Sequence, residues 1–200
     1  MRARWAVVAN VCAASAICAA CSSPSSAPTS TGTGSATGTI HGMTLAIADA
    51  FSVEAPLNGE PLTELDVALS NVAGLCGASS YSASTAILEI TLLLTSTNGS
   101  PAVIDQPVVL SIDNAMTLVS YLAQPGSQCN TFTSTDNNGS ESTMTTFAVF
   151  ESATSGTVTI TKADATGVTG SFTAVFASGD TLSGSFDAPA CSKPVPSNGC

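Results

Sequence analysis

Residues 167–188 read GVTGSFTAVFASGDTLSGSFDA, and the fold follows from them. Val168-Thr169-Gly170-Ser171-Phe172 is echoed by Leu182-Ser183-Gly184-Ser185-Phe186. Two alternating segments, 167–177 and 180–188, flank Ala177-Ser178-Gly179. A three-residue loop with glycine in the left-handed position closes such segments into a hairpin. That closure puts Phe176 opposite Asp180, Phe172 opposite Gly184 and Gly170 opposite Phe186. Each ring then covers a glycine that would otherwise weaken the sheet. Ala174 and Leu182 share the apolar face, while Thr169, Ser171, Thr173, Ser183, Ser185 and Asp187 line the other. The alternative is that Gly170 and Gly184 mark bulges and the register differs by a residue or two.

The same period of two runs through most of the chain. Leu65, Val67 and Leu69 alternate with polar or small residues, as do Leu88, Ile90 and Leu92. Asn58-Gly59, Asn98-Gly99-Ser100-Pro101 and Asn137-Asn138-Gly139 punctuate the runs. Short alternating strands with such turns predict an all-β, antiparallel sandwich or barrel of about nine to ten strands. They are placed at 39–48, 51–55, 62–70, 86–96, 107–113, 116–122, 143–151, 155–162, 167–177 and 180–188. Between 71 and 83, Val72, Leu75 and Cys76 recur at helical spacing, which predicts one short helix. Glu89 stands in an apolar strand. Alternation turns it outward; a pocket carboxylate is the other reading.

The chain opens differently. Arg2 and Arg4 precede an apolar run, Trp5 to Cys18, too short to span a hydrocarbon core of about 20 apolar residues. A basic start, an apolar middle and small residues at a cleavage site make an export signal. Ile17-Cys18-Ala19-Ala20-Cys21 resembles the lipobox of bacterial lipoproteins, with Cys18 where that family usually has Leu. The resemblance implies a signal peptide over 1–20 and acylation of Cys21, palmitate included, as the membrane anchor. Ser22, rather than Asp, after the cysteine implies sorting to the outer membrane of a Gram-negative cell. The rival is a soluble secreted product cut after Ala14-Ser15-Ala16. Residues 22–38, SSPSSAPTSTGTGSATG, carry no large apolar side chain and read as a flexible tether. Such a chain reaches roughly 20–25 Å. The domains expected are thus signal 1–20, lipidated cysteine and tether 21–38, β domain 39–190 and a Cys/Pro-rich tail 191–200.

Cysteine usage agrees with export. Beyond Cys21, the cysteines Cys76, Cys129, Cys191 and Cys200 form an even set, which in an oxidising compartment implies two disulfides. Cys76–Cys191 with Cys129–Cys200 would tack the tail onto the body. Cys76–Cys129 with a short Cys191–Cys200 ring is the rival. No C-x-x-C pair occurs and His41 is the single histidine, so no zinc site is expected.

Charge and motif content exclude several function classes. After the signal, two lysines (Lys162, Lys193) stand against fourteen acids, leaving −12. Nucleic acid needs clustered Lys and Arg and does not fit; an anionic lipid surface would be repelled. A Ser-His-Asp triad would have to use His41, placed where tether meets domain, a poor support for a general base. No G-x-S-x-G, H-E-x-x-H or Walker loop occurs. Carboxylate pairs for a glycosidase are available among fourteen acids, but aromatic sugar platforms are scarce. Asp136-Asn137-Asn138-Gly139-Ser140-Glu141 fails the EF-hand template and reads as a polar turn. The expectation is a non-enzymatic, cofactor-free envelope protein, a binding or structural module of unknown specificity with a protein or glycan partner unnamed. Its abundant Ser and Thr read first as a solvated surface of hydroxyls, with adhesion or glycan contact through hydroxyl-rich faces as the sharper alternative. A lipocalin-like carrier of a small apolar ligand is the alternative, and a hydrolase the distant third.

Overall fold

The computed structural model describes residues 32–56, 62–78, 84–95, 103–112, 116–123, 130–135, 141–146 and 149–192. Their strands are β1 (Thr33–Thr39), β2 (Asp49–Pro56), β3 (Leu62–Ser70), β4 (Ala86–Thr95), β5 (Val108–Ser111), β6 (Thr117–Ala123), β7 (Asn130–Thr135), β8 (Glu141–Thr146), β9 (Val149–Asp164), β10 (Gly167–Phe176) and β11 (Thr181–Pro189). Nine of them make one antiparallel sheet in the order β1-β11-β10-β9-β6-β4-β3-β2, with β5 also beside β9. β7 and β8 pair only with each other, as a separate hairpin.

The sheet curls until its ends almost meet, giving a nearly closed barrel. At the seam Ser52 of β2 bridges Ala190 in parallel, its hydroxyl donates to the Ala188 carbonyl at 3.0 Å, and the Cys191 N–H donates to the Ser52 carbonyl at 2.7 Å. The inward positions of the strands fill the interior: Leu69, Leu88, Ile90, Val119, Tyr121 and Phe176 are all essentially without solvent contact.

The β10–β11 hairpin has the expected register, residue for residue. Phe172 lies opposite Gly184, Gly170 opposite Phe186 and Ala174 opposite Leu182. The loop closes with the Phe176 N–H on the Asp180 carbonyl at 2.9 Å and Gly179 at φ 87°. A Cβ on Gly170 would sit 2.7 Å from the Phe186 ring, and one on Gly184 would sit 3.0 Å from the Phe172 ring. The rings therefore occupy the space the glycines leave. Burying each is favourable by about 1.5–3 kcal/mol. A bulge does occur at Thr169/Gly170, but on the β9 side of β10.

Other expectations need correction. The segment 33–38, read as the end of the tether, is most of β1. The predicted strand 39–48 is instead a tight turn followed by non-strand backbone. Ile40 and Met43 exchange both backbone hydrogen bonds at 2.9 Å around His41 and Gly42, whose φ values are 50° and 73°. This is the two-residue hairpin closure that needs positive φ at both central positions. The segments 143–151 and 155–162 do not stand as two strands. Val149–Asp164 is one sixteen-residue strand, reached after the separate β7–β8 hairpin.

The short helix is not found among the described residues. Residues 71–78 are turns and bends, and 79–83 lie outside the described set. Gly74 and Gly77 both adopt positive φ, 79° and 77°, which no right-handed helix accommodates. The segment is pinned instead. Leu75 packs with Phe51, Ala68, Ile87 and Cys191 in a second apolar cluster outside the barrel wall. The Gly74 N–H donates to Asp49 at 2.8 Å and the Val72 N–H to the Ser70 hydroxyl at 3.0 Å. Cys76 and Cys191 form a disulfide, the first pairing of the arrangement that tacks the tail down. Cys129 and Cys200 lie outside the described residues.

Candidate functional site

Among the described residues, three groups of side chains and two cavities are open to chemistry. The largest group is a face. The outward positions of β9, β10, β11 and β1 carry hydroxyls, and the registers set them in rows across four strands. One row runs Thr37, Ser183, Thr173, Thr157; the next runs Ser35, Ser185, Ser171, Thr159. Neighbouring strands stand about 4.8 Å apart, so hydroxyls in a row reach each other. Thr157 meets Thr173 at 3.0 Å, Thr161 meets Thr169 at 2.9 Å and Ser35 meets Ser185 at 3.0 Å. Charge enters this face at one margin, where Asp187 and Lys162 flank Thr169 in the same row. With Asp164 2.7 Å from Lys162, that margin carries two acids and one base, while the two hydroxyl rows themselves hold no charged residue. Chemically it offers hydroxyl donors and acceptors, with methyl groups between them, and no nucleophile activated by a base.

The second group lies on the outer side of β3 and β4. Asp66 stands opposite Thr91, Glu89 opposite Ala68 and Glu64 opposite Leu93, so the three acids share one face. Burial pushes the Asp66 carboxyl up to about 6; the Thr91 hydroxyl, donating at 2.7 Å, opposes the shift, and the Glu64 charge adds to it. Burial, then the charges of Asp66 and Glu64, push Glu89 up to about 7. Glu89 is thus outward by alternation, as expected, yet covered enough to hold a proton near neutrality. A carboxyl of that kind can serve as a general acid. Neither Asp66 nor Glu89 lines either cavity described below.

The third group surrounds His41, and here the expectation of a poorly supported histidine is overturned. Its N–H donates to Asp180 at 2.7 Å, and its Nε2 lies 2.8 Å from Glu151 Oε2. That contact has ion-pair distance, although Oε2 receives no aligned hydrogen bond. The Ser178 N–H donates to Glu151 Oε1 at 2.6 Å, and the Ser178 hydroxyl turns to Asp180 at 3.2 Å. Imidazole and carboxylate are brought together, but Ser178, the nearest hydroxyl in this cluster, is engaged by Asp180. The arrangement buckles the turn at 40–43 to the hairpin tip at 177–180. The sequence signal was an X-Gly dipeptide between apolar residues, Ile40-His41-Gly42-Met43.

The cavities lie at the barrel's rims. One, of about 360 Å³, is lined by Ser52, Glu54, Leu65, Asp164, Ala190 and Cys191 among others. Asp164 in it is held well below the usual carboxylate range by Lys162, 2.7 Å away, and by Thr166. The second, of about 230 Å³, is lined by Met43, Thr44, Asn71, Thr85 and Tyr121 among others. Among the described residues no group of three or more His, Cys, Asp or Glu side chains is placed to hold a metal ion. Cys21 and the turn at 136–140 lie outside the described residues. Comparison with protein families, with curated proteins and with solved structures finds no match for this chain.

Proposed function

We propose that the chain is a lipid-anchored envelope protein whose barrel is a non-enzymatic binding module for neutral, hydroxyl-bearing polymers such as glycans. The observation that carries this reading is the face of hydroxyl rows on β9, β10, β11 and β1, exposed or half-buried and free of charge within the rows, on a mature chain of −12. Rows of donors and acceptors at strand spacing match a partner that presents hydroxyls repeatedly along its length. The test is co-sedimentation with a purified insoluble glycan, first at low salt and then at high salt. Thr157→Val with Thr173→Val keeps the shape of the face and removes one hydroxyl pair. Binding that survives salt and falls at least threefold in the double variant is expected. Binding abolished by salt and indifferent to the variant defeats the reading. The anchor is tested apart: Cys21→Ala is expected to move the protein from the membrane to the soluble exported fraction, and retention on the membrane would exclude acylation there. Outer-membrane placement belongs to the same proposal and is read from membrane fractionation.

A second reading, a carrier of a small apolar ligand, is supported by the barrel fold. One place for a small apolar ligand is the rim cavity lined by Met43, Ala86, Tyr121 and Ala123 among others, the more apolar of the two described. Native mass spectrometry of protein taken from its own envelope distinguishes a retained small molecule from a glycan.

A further inference from the structure

The N-terminal arm, β1 with its tight turn, is held to the barrel chiefly by backbone. Its inward positions are Gly34 and Ala36, with Gly38 exposed at φ 114°, so the strand brings a single methyl group to the core until Ile40, which is fully buried. Its attachment is the register with β11, seven residue pairs from Thr33↔Asp187 to Thr39↔Thr181. At its far end His41 meets Asp180 and Glu151. β1 also stands last in the sheet order, at the seam.

The slot that receives the arm is selective. A Cβ on Gly34 would come 3.0 Å from Ile47 and 3.4 Å from Leu69. A Cβ on Gly184, across the strand pair, would come 1.8 Å from the Ser35 carbonyl oxygen. β1 backbone therefore lies where side chains would ordinarily project. An incoming strand fits with small residues at 34 and 36, with glycine at 38, where a Cβ would meet the Thr181 carbonyl and the φ is positive, and with a large aliphatic plug two residues on. Few segments meet that description, and this chain carries one that does. Thr44, exposed and outside any strand, follows the turn as a natural hinge. Beyond it Leu45 is buried and stays with the body.

We infer that the slot between β11 and the seam also accepts the Thr33–Met43 arm of a second copy, so that neighbouring molecules exchange arms. Every contact of the arm is reproduced in the exchanged pair, since donor and acceptor are identical, and the closed exchange is symmetric. The free-energy difference then lies in the hinge and in concentration. Anchoring in one membrane would raise that concentration without any new contact.

The experiment uses register partners. Thr37 and Ser183 lie directly opposite each other across β1 and β11. A Thr37→Cys chain is mixed with a Ser183→Cys chain, both with Cys21→Ser to keep them soluble, and disulfide-linked peptides are mapped after mild oxidation. The expected result is an interchain disulfide joining the two substituted positions, arm of one copy to β11 of the other. It should be absent when either variant is oxidised alone, and its yield should rise about in proportion to concentration at low occupancy. A chain bearing both substitutions serves as control and is expected to close on itself when dilute. If the mixture gives no arm-to-β11 crosslink at the highest concentration while the control closes normally, the proposal is overturned. So does failure of the control to close overturn it, because the register would then be wrong. Crosslinks between the β11 positions of two Ser183→Cys chains, as abundant as the arm-to-β11 product, would mean simple face-to-face association and would overturn it too.

Discussion

The two halves of the barrel's outer wall obey one alternation and use it to opposite ends. On β9, β10, β11 and β1 the outward residues are mostly hydroxyls, exposed or half-buried, and among the described residues no second layer lies over them. On β2, β3 and β4 they are acids and large apolar groups, and a second layer lies over them: the 71–78 segment, with Leu75 seated on Phe51, Ala68 and Ile87. The hydroxyl half depends on close backbone approach, glycine against ring and carbonyl. The acid half depends on a staple and on protons. The lesson is that the inner faces fix the fold, while the outer faces decide what each half is sensitive to.

That contrast can be broken at three points. The largest effect is expected on the hydroxyl half. Gly184→Val puts side-chain atoms against the Ser35 carbonyl and the Phe172 ring, and overpacking against backbone costs about 4 kcal/mol or more. Urea denaturation measures it; a loss under about 1 kcal/mol would mean that β1 is not packed there. Next comes the staple. The Cys76–Cys191 bridge spans 115 residues, and its removal by a double Cys→Ala change is expected to cost about 4 kcal/mol. Hydrogen exchange should show the loss first at 71–78, with β10 amides following only on global unfolding. Uniform loss across both halves would erase the distinction.

The third is pH, and the sign follows from the raised carboxyls. Asp66 is moved from 3.8 to about 6 and Glu89 from 4.5 to about 7. Between pH 4 and 7 the folded chain holds more protons than the unfolded one, so stability falls as pH rises through that window. For these two carboxyls the loss is on the order of a few kcal/mol between pH 4 and pH 8. Asp66→Asn with Glu89→Gln should flatten this slope, read from denaturation midpoints. A slope unchanged by the double substitution would place the linkage elsewhere.

Where the sequence was legible, the information was local. Gly170 and Gly184 are spaced so that each meets a ring, and Gly179 sets the loop, so one register satisfies both. β1 was hidden because TGSATGT has no apolar side chain; it is a strand because β11 and the seam require small residues there, which is a tertiary condition. The helical spacing of Val72, Leu75 and Cys76 misled because a cluster on an outer wall can be reached by a looping chain as well as by a helix. Glu89 was visible as an oddity, but its proton affinity, and that of Asp66, depends on neighbours one strand away. The His41 buckle needed the hairpin tip, more than a hundred residues distant.

The disulfide has one more consequence, concerning how the molecule can be taken apart. Together with the backbone between them, Cys76 and Cys191 make a covalent ring that contains β4 to β11. A protease that cuts once anywhere inside this ring leaves a single connected molecule, with both new ends still tied through sulfur. Under the lipid anchor proposed at Cys21, a cut ahead of β1 would have the opposite outcome and shed the whole domain. On that proposal, release from the membrane needs one scission ahead of β1, whereas a single scission inside the ring leaves the molecule in one piece.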